Sequence, residues 1–360
     1  MEKLQIGIIG LGGIGRGTHA RCYHLIKDLK NRAEIVALCD IKEERAQRVQ
    51  KEWFPGAKVY KDYKELLKDP AVATVDICTP NYLHSVIAVD AFAAGKHVLC
   101  EKPDAVNVEE ALKMKQASEE SGRTLMVIRN NRFCPSSIAV REFIEAGNMG
   151  EIYAGRCGWV RRRGAPGKGG WFTTKALSGG GPLIDLGVHM IDLSLWMMGS
   201  PKPVAVSANV YRKFADSPYY EKFHSDFGDA VEGGTFDVED LAIGFIRFEN
   251  GASLQLEFSW SSNIKKEHRF VELRGTKAGV NWRNARAEFF TEADGKLVDT
   301  KVKTGLKFPE GHPANMSNFL DVVLEGKPPV YTPQQGMDMM RILMAIYESA
   351  ETGREIDIRP

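Results

Sequence analysis

Leu4-Gln5-Ile6-Gly7-Ile8-Ile9 runs without a break into Gly10-Leu11-Gly12-Gly13-Ile14-Gly15, and this junction limits what the chain can become more than any other feature. Six apolar-rich residues read as a buried strand, and Ile14 to Lys30 can be helical. In such a strand–turn–helix unit Gly10 permits the tight turn, Gly12 lets the backbone approach a pyrophosphate, and Gly15 allows the helix to close on the strand. Gly13 and Ile14 open the helix, whose unpaired amides face an anion. The spacing alone is common. What gives it weight is a second strand, Glu34 to Cys39, that ends in Asp40. An acidic residue there can accept both hydroxyls of an adenosine ribose, which favours NAD over NADP. Alternatively Asp40 caps a helix over Lys42 to Gln50.

Strands and helices go on alternating after Asp40. Thr74 to Cys78 is a strand that ends in Thr79-Pro80-Asn81, and helix His84 to Ala94 closes at Gly95. Asn81 and His84 follow a strand's carboxyl end and are candidate cofactor contacts; the other reading of His84 is a first-turn residue facing solvent. His97 to Cys100 is a strand running into Glu101-Lys102-Pro103. Proline fixes one dihedral and biases its neighbour toward extended backbone, so the lysine is held at the strand's carboxyl end, where parallel sheets bind ligands and a nicotinamide would lie. Taken alone, the tripeptide reads equally as a surface ion pair before a turn. Asn107 to Glu110 looks like a helix cap, and Thr124 to Ile128 supplies another strand. Residues 1–131 are therefore read as a doubly wound Rossmann domain of the α/β class.

The pattern changes in residues 132–360. Ile152 to Arg161 is a strand entering a basic, Gly-rich stretch from Arg161 to Trp171, which is either a solvated linker or the wall of a site, with Trp171 against a ring and Arg163 on a substrate oxygen. Gly179-Gly180-Gly181-Pro182 then opens an amphipathic helix, Leu183 to Met198. Asp185 and His189 share one face of it at a four-residue spacing, with Asp192 close by. Strand-like runs follow at Val204 to Val210, Val238 to Phe248, Ser253 to Trp260, Phe270 to Arg274 and Val280 to Trp282, and Asn250-Gly251 suits a hairpin. They predict an α+β domain with an open, mainly antiparallel sheet and helices on one side. Tyr211 to Thr235 reads as a long loop, either a cover for a site or disordered. Helices Pro313 to Leu324 and Pro333 to Thr352 finish the chain.

The chain's 360 residues exceed what one core usually organises, and 48 basic residues nearly balance 47 acidic ones, so neither nucleic acid nor an anionic membrane is indicated as a partner. Met1 to Lys3 lead straight into a strand and no apolar run suits a membrane span, which suggests a cytoplasmic protein. Six cysteines without Cys-x-x-Cys spacing read as reduced core thiols, and no metal site is expected.

Together, the Gly10 to Gly15 turn, Thr79-Pro80-Asn81 with His84, Gly95 to Val98 before Glu101-Lys102-Pro103, and Gly180 to His189 resemble the glucose-fructose oxidoreductase, inositol dehydrogenase and rhizopine catabolism family, Gfo/Idh/MocA, over nearly the whole chain. The resemblance implies that Lys102 lies beside the nicotinamide and the reacting hydroxyl, that His189 handles its proton, and that Asp185 orients substrate or histidine. The run from Arg161 through Trp171 to the Gly-rich helix is most similar to enzymes that oxidise a ring hydroxyl of sugars or glycosides, at the 3-position for example, with inositol dehydrogenases the near alternative. Asn131, Arg163, Asp185, His189 and Trp171 suit a ring with polar rims and apolar faces, while His312 either reaches the substrate or only opens a helix. A homodimer or homotetramer joined through the second sheet is expected. Relatives that cleave glycosidic bonds through transient oxidation, or that bind the dinucleotide as regulators, define the other classes; the presence of both Lys102 and His189 weakens the regulator reading.

Overall fold

The computed structural model describes residues 3–217, 227–302 and 311–359. The first sheet comprises β1 (Leu4–Ile9), β2 (Ala33–Cys39), β3 (Lys58–Tyr60), β4 (Thr74–Ile77), β5 (His97–Cys100) and β6 (Leu125–Val127) in the order β3-β2-β1-β4-β5-β6. Every pairing within it is parallel. The order reverses between β1 and β4, so a crevice opens beyond the carboxyl ends of these strands. The turn after β1 leads into it. Gly10 has φ +92°, and a Cβ on Gly15 would overlap the Gly10 carbonyl oxygen, which is why this helix starts so close to the strand.

The second sheet comprises β7 (Ile152–Val160), β8 (Pro203–Tyr211), β9 (Leu241–Phe248), β10 (Ser253–Ser259), β11 (His268–Gly275), β12 (Gly279–Arg283), β13 (Arg286–Ala293), β14 (Lys296–Lys301) and β15 (Ile356–Asp357). Its order is β14-β13-β12-β11-β7-β10-β9-β8-β15. Only β7 and β10 pair in parallel. The remaining pairs are antiparallel. One face packs on helices Pro135–Glu145, Val188–Met197 and Pro333–Thr352. That last helix also packs on helix Val108–Ser121 of the first sheet, so the chain's end joins both layers. None of the described helices is long and apolar enough to cross a membrane.

Several expectations are corrected. The helix expected over Ile14 to Lys30 breaks at Ile26, whose backbone is extended (φ −82°, ψ 117°), and restarts as Lys27–Arg32. The strand expected from Val238 begins only at Leu241, because Glu239 and Asp240 turn inward to accept backbone amides. β14 leaves no trace in the sequence pattern: all six of its residues are exposed, so it has no apolar face to signal it. The long loop over 211–235 lies partly outside the described residues.

Candidate functional site

Lys102 follows β5 and points its ammonium at the start of the Gly-rich helix. Nζ donates to Asp185 Oδ1 at 2.9 Å and to the Asp185 carbonyl at 3.1 Å. The other carboxylate oxygen accepts from Trp260 Nε1 at 2.9 Å. Burial pushes the Asp185 carboxyl up, but the charges of Lys102 and Arg161 with the hydrogen bonds outweigh it and hold it at about 2. Asp185 is therefore a permanent anion here. An ammonium has three donors and two are engaged, leaving one for a substrate oxygen.

His189 lies one helical turn beyond Asp185. Among the described residues, neither of its ring nitrogens is engaged in a protein hydrogen bond. Burial, with the neighbouring Lys102 charge, holds its pKa well below the ordinary 6.5. A half-buried neutral imidazole with a free nitrogen can accept a proton from a substrate. The helix that carries it is fixed at its start by Glu239, which accepts the Gly181 and Leu183 amides at 3.0 and 3.1 Å. A Cβ on Gly180 would overlap the Tyr347 hydroxyl, so the glycine run is needed for this close seat.

Glu101 does not face the cofactor crevice as an open carboxylate. Oε1 sits 2.9 Å from His19 Nε2, whose Nδ1 is 2.9 Å from Asp76. Burial alone would push His19 down, but the Asp76 charge prevails and its pKa lies well above 6.5. Glu101 Oε2 accepts the Lys102 amide at 3.0 Å, so this buried chain of charges holds the lysine's backbone. His312 comes within 3.7 Å of Glu101. The sequence shows no cluster of histidines and carboxylates, whereas among the described residues His19, Glu101 and His312, and His19, Asp76 and Cys78, converge.

His84 is a second correction. It is neither solvent-facing nor open to a cofactor: its ring is fully buried between the carbonyls of Pro103 (2.8 Å) and Thr79 (3.0 Å). Burial lowers its pKa, and the neutral ring, with one N–H to donate to one of the two carbonyls, fills the space between the ends of β4 and β5. Asn81 likewise donates to the Ser178 carbonyl at 2.7 Å, joining the crevice to the glycine run. Arg163 is engaged by the segments that follow β10 and β8, donating to the Ser262 carbonyl and Asn263 Oδ1, both at 2.9 Å, and lying over the Phe214 ring. Arg161, just past the end of β7, is the arginine whose charge acts on Asp185. It lies over Trp159, whose ring is 5.9 Å from that of His189. Arg269 covers Trp159 as well and reaches Asn131 Oδ1 at 3.4 Å. Trp171 stacks on Phe172 with ring centroids 3.7 Å apart.

The crevice suits a dinucleotide. A Cβ on Gly12 would meet nothing nearer than the Arg45 guanidinium at 3.9 Å, so the backbone there is open to a phosphate. Asp40 accepts the amides of Leu11 (2.7 Å) and Lys42 (2.8 Å), which braces the glycine turn and leaves lone pairs for ribose hydroxyls. It does not cap the following helix, Glu43–Trp53, whose N-cap residue is Lys42. Thr79 Oγ1 and Asn131 Nδ2 are buried without a protein partner among the described residues.

Comparisons with known proteins give the family and the fold. Residues 4–129 match the model of an oxidoreductase family with an NAD-binding Rossmann fold, and residues 138–281 match the GFO/IDH/MocA C-terminal domain. The chain is 34% identical to the D-glucoside 3-dehydrogenase of Escherichia coli over 99% of its own length and 98% of that protein's. It is 27% identical to the NADP-dependent scyllo-inositol 2-dehydrogenase of Bacillus subtilis, over 99% of this chain and 96% of that one. A levoglucosan dehydrogenase solved with NADH and levoglucosan shares the fold at a TM-score of 0.86, with 23% identity and full coverage of both chains. The chain belongs to the Gfo/Idh/MocA family and is an NAD-dependent oxidoreductase acting on CH–OH groups.

Proposed function

We propose that the protein oxidises a secondary ring hydroxyl of a sugar or glycoside, at the 3-position, to the ketone. The observation that carries this is the Lys102–Asp185 ion pair at 2.9 Å with the unpartnered His189 imidazole one turn away. NAD, which the Gly10 to Gly15 turn and Asp40 would hold, supplies the hydride acceptor when bound. The neutral His189 takes the hydroxyl proton, and the spare Lys102 donor stabilises the alkoxide as it develops. Asp185, fixed by Trp260, aims the ammonium. Trp159, Arg161 and Arg269 on the neighbouring sheet present an apolar face with polar rims, which suits a polyhydroxylated ring better than a small hydroxy acid. Asn131, with its amide nitrogen unpartnered among the described residues, completes the rim, and His312 stands 3.7 Å from Glu101.

The same constellation accommodates an inositol, the runner-up. Hexoses, glycosides, inositols, lactate and malate incubated with NAD, following reduced cofactor and locating the new carbonyl by NMR, separate the readings. A 3-keto glycoside product supports the proposal. Turnover of inositols alone promotes the runner-up, turnover of hydroxy acids alone removes the sugar reading, and glycoside cleavage without accumulating NADH indicates a redox-neutral glycosidase. A cytoplasmic homo-oligomer fits the reading too. The sheet face turned away from the helices carries Ile243, Phe245, Phe270 and Phe290 among the charged Arg156, Glu272 and Arg283. Charge reversal at Arg156 should release monomers in gel filtration.

A further inference from the structure

Lys42 and Arg45 stand on the first turn after β2, beside Asp40. In this fold a basic side chain at that place accommodates the 2′-phosphate of NADP. Two such cations conflict with the NAD preference that Asp40 implies. The conflict is removed from the second domain. Asp229, in the segment that follows the undescribed residues, puts its carboxylate 2.7 Å from Lys42 Nζ and 2.9 and 3.0 Å from Arg45 Nη2. The segment is anchored for this purpose: the Val231 amide donates to the Lys168 carbonyl at 2.9 Å, and Gly169 bridges Thr235. Gly167, Gly169 and Gly170 let the two loops touch backbone to backbone.

We propose that Asp229 is a specificity-determining residue for NAD over NADP, acting from outside the Rossmann domain by occupying Lys42 and Arg45, so that a 2′-phosphate meets two carboxylates and no free cation. All three side chains are partly exposed, so the pairs add little to folding. Their effect is on which anion the cations accept. With NAD, whose ribose hydroxyls are neutral, Asp229 stays on its cations and Asp40 takes the hydroxyls. With NADP the phosphate has to displace Asp229 and still face it, a like-charge juxtaposition.

The inference rests on the NAD reading of the site, and the experiment separates the two. Steady-state kcat/KM with NAD and with NADP is compared for the wild type, Asp229→Asn, Asp229→Asn with Lys42→Ala and Arg45→Ala, and Asp216→Asn, an exposed carboxylate paired with Arg212 in the same connection. Asp229→Asn should lower the NAD-to-NADP ratio by roughly tenfold, the order expected from freeing two cations to hydrogen-bond the phosphate and removing one like-charge repulsion. The change should come from the NADP arm, shrink to the loss of one like-charge repulsion when both cations are removed, and be absent from Asp216→Asn. A ratio unchanged by Asp229→Asn, or shifted equally by Asp216→Asn, overturns the proposal. A wild-type preference for NADP overturns the cofactor reading beneath it as well.

Discussion

Asp185 and Asp192 lie two turns apart on one helical segment, and both are paired with basic side chains, yet they serve opposite ends. Asp192, 4% exposed, accepts from Arg129 Nε (3.0 Å), Arg132 Nε (2.8 Å) and Arg132 Nη2 (2.6 Å). The other nitrogens of these guanidiniums reach Asp104, the Ile128 and Val330 carbonyls and Gln335. Every guanidinium nitrogen thus has an acceptor within the protein, and the set binds the link after β6 to the helix. Asp185 meets a single ammonium that retains a donor, beside a histidine that retains both nitrogens. A closed buried network rigidifies; one left short of partners is completed by a ligand. The difference between a structural and a chemical carboxylate is thus the capacity left over around it.

The sharpest way to break the comparison is to remove the open base. His189→Ala should cut turnover by roughly a hundred to ten thousand-fold, the usual worth of a positioned acid or base, with NAD affinity nearly intact. Lys102→Ala should act in the same direction. Near wild-type turnover at saturating substrate in either variant would remove that residue from the chemistry. The mirror experiment is Asp192→Ala, which strands two buried guanidiniums and should cost about 3–5 kcal/mol of stability. Denaturant melts measure that loss, and turnover per folded molecule should change far less than in His189→Ala. Were the two variants to exchange phenotypes, the open and closed networks would have been assigned backwards.

A finer test uses pH. Because His189 is neutral in the folded protein well below 6.5, the base is already in place at that pH, and the acid limb of kcat/KM should lie below 6.5. Lowering the pH through the depressed value protonates it and the rate falls. Burial is the larger cause and the Lys102 charge the next, so Lys102→Met should move the His189 ring titration upward, toward but not to 6.5, in NMR spectra of ring-labelled protein. A titration that does not move would mean the two groups are not coupled, and Lys102 would lose its place next to the proton acceptor.

What the sequence makes legible depends on how far apart the partners are. The glycine turn, the Glu101-Lys102-Pro103 turn and the Asp185–His189 spacing are local, and each implies its own geometry. The partners of Glu101 and Asp192 are not: His19 and Glu101 are 82 positions apart, and Arg132 and Asp192 are 60 apart. Only the packed sheets bring them together. His84 is illegible for another reason: a histidine early in a helix carries no sign of which carbonyls will cover it, even when they lie 5 and 19 positions away. Arg163 stands out in the sequence ahead of Arg161, and the period of β7, carried past its end at Val160, puts Trp159, Arg161 and Arg163 on one side. Only the packing shows that Arg161 is the one whose charge acts on Asp185.

Asp40 stands between the open and closed cases and gives the smallest expected effect. Its carboxylate, 6% exposed, already accepts two backbone amides and keeps about half of its lone-pair sites. If that reserve serves the ribose, Asp40→Ser should narrow the preference for NAD over NADP by a few-fold to about tenfold, a like-charge repulsion being lost while the hydroxyl still accepts. If the carboxylate only braces the turn, the same change should weaken both cofactors alike, because the loss of the bond to Leu11 loosens the phosphate cradle whichever ribose is bound. Isothermal titration with NADH and NADPH separates the outcomes directly: a changed ratio places Asp40 with Asp185, as a carboxylate finished by its ligand, and a uniform loss places it with Asp192.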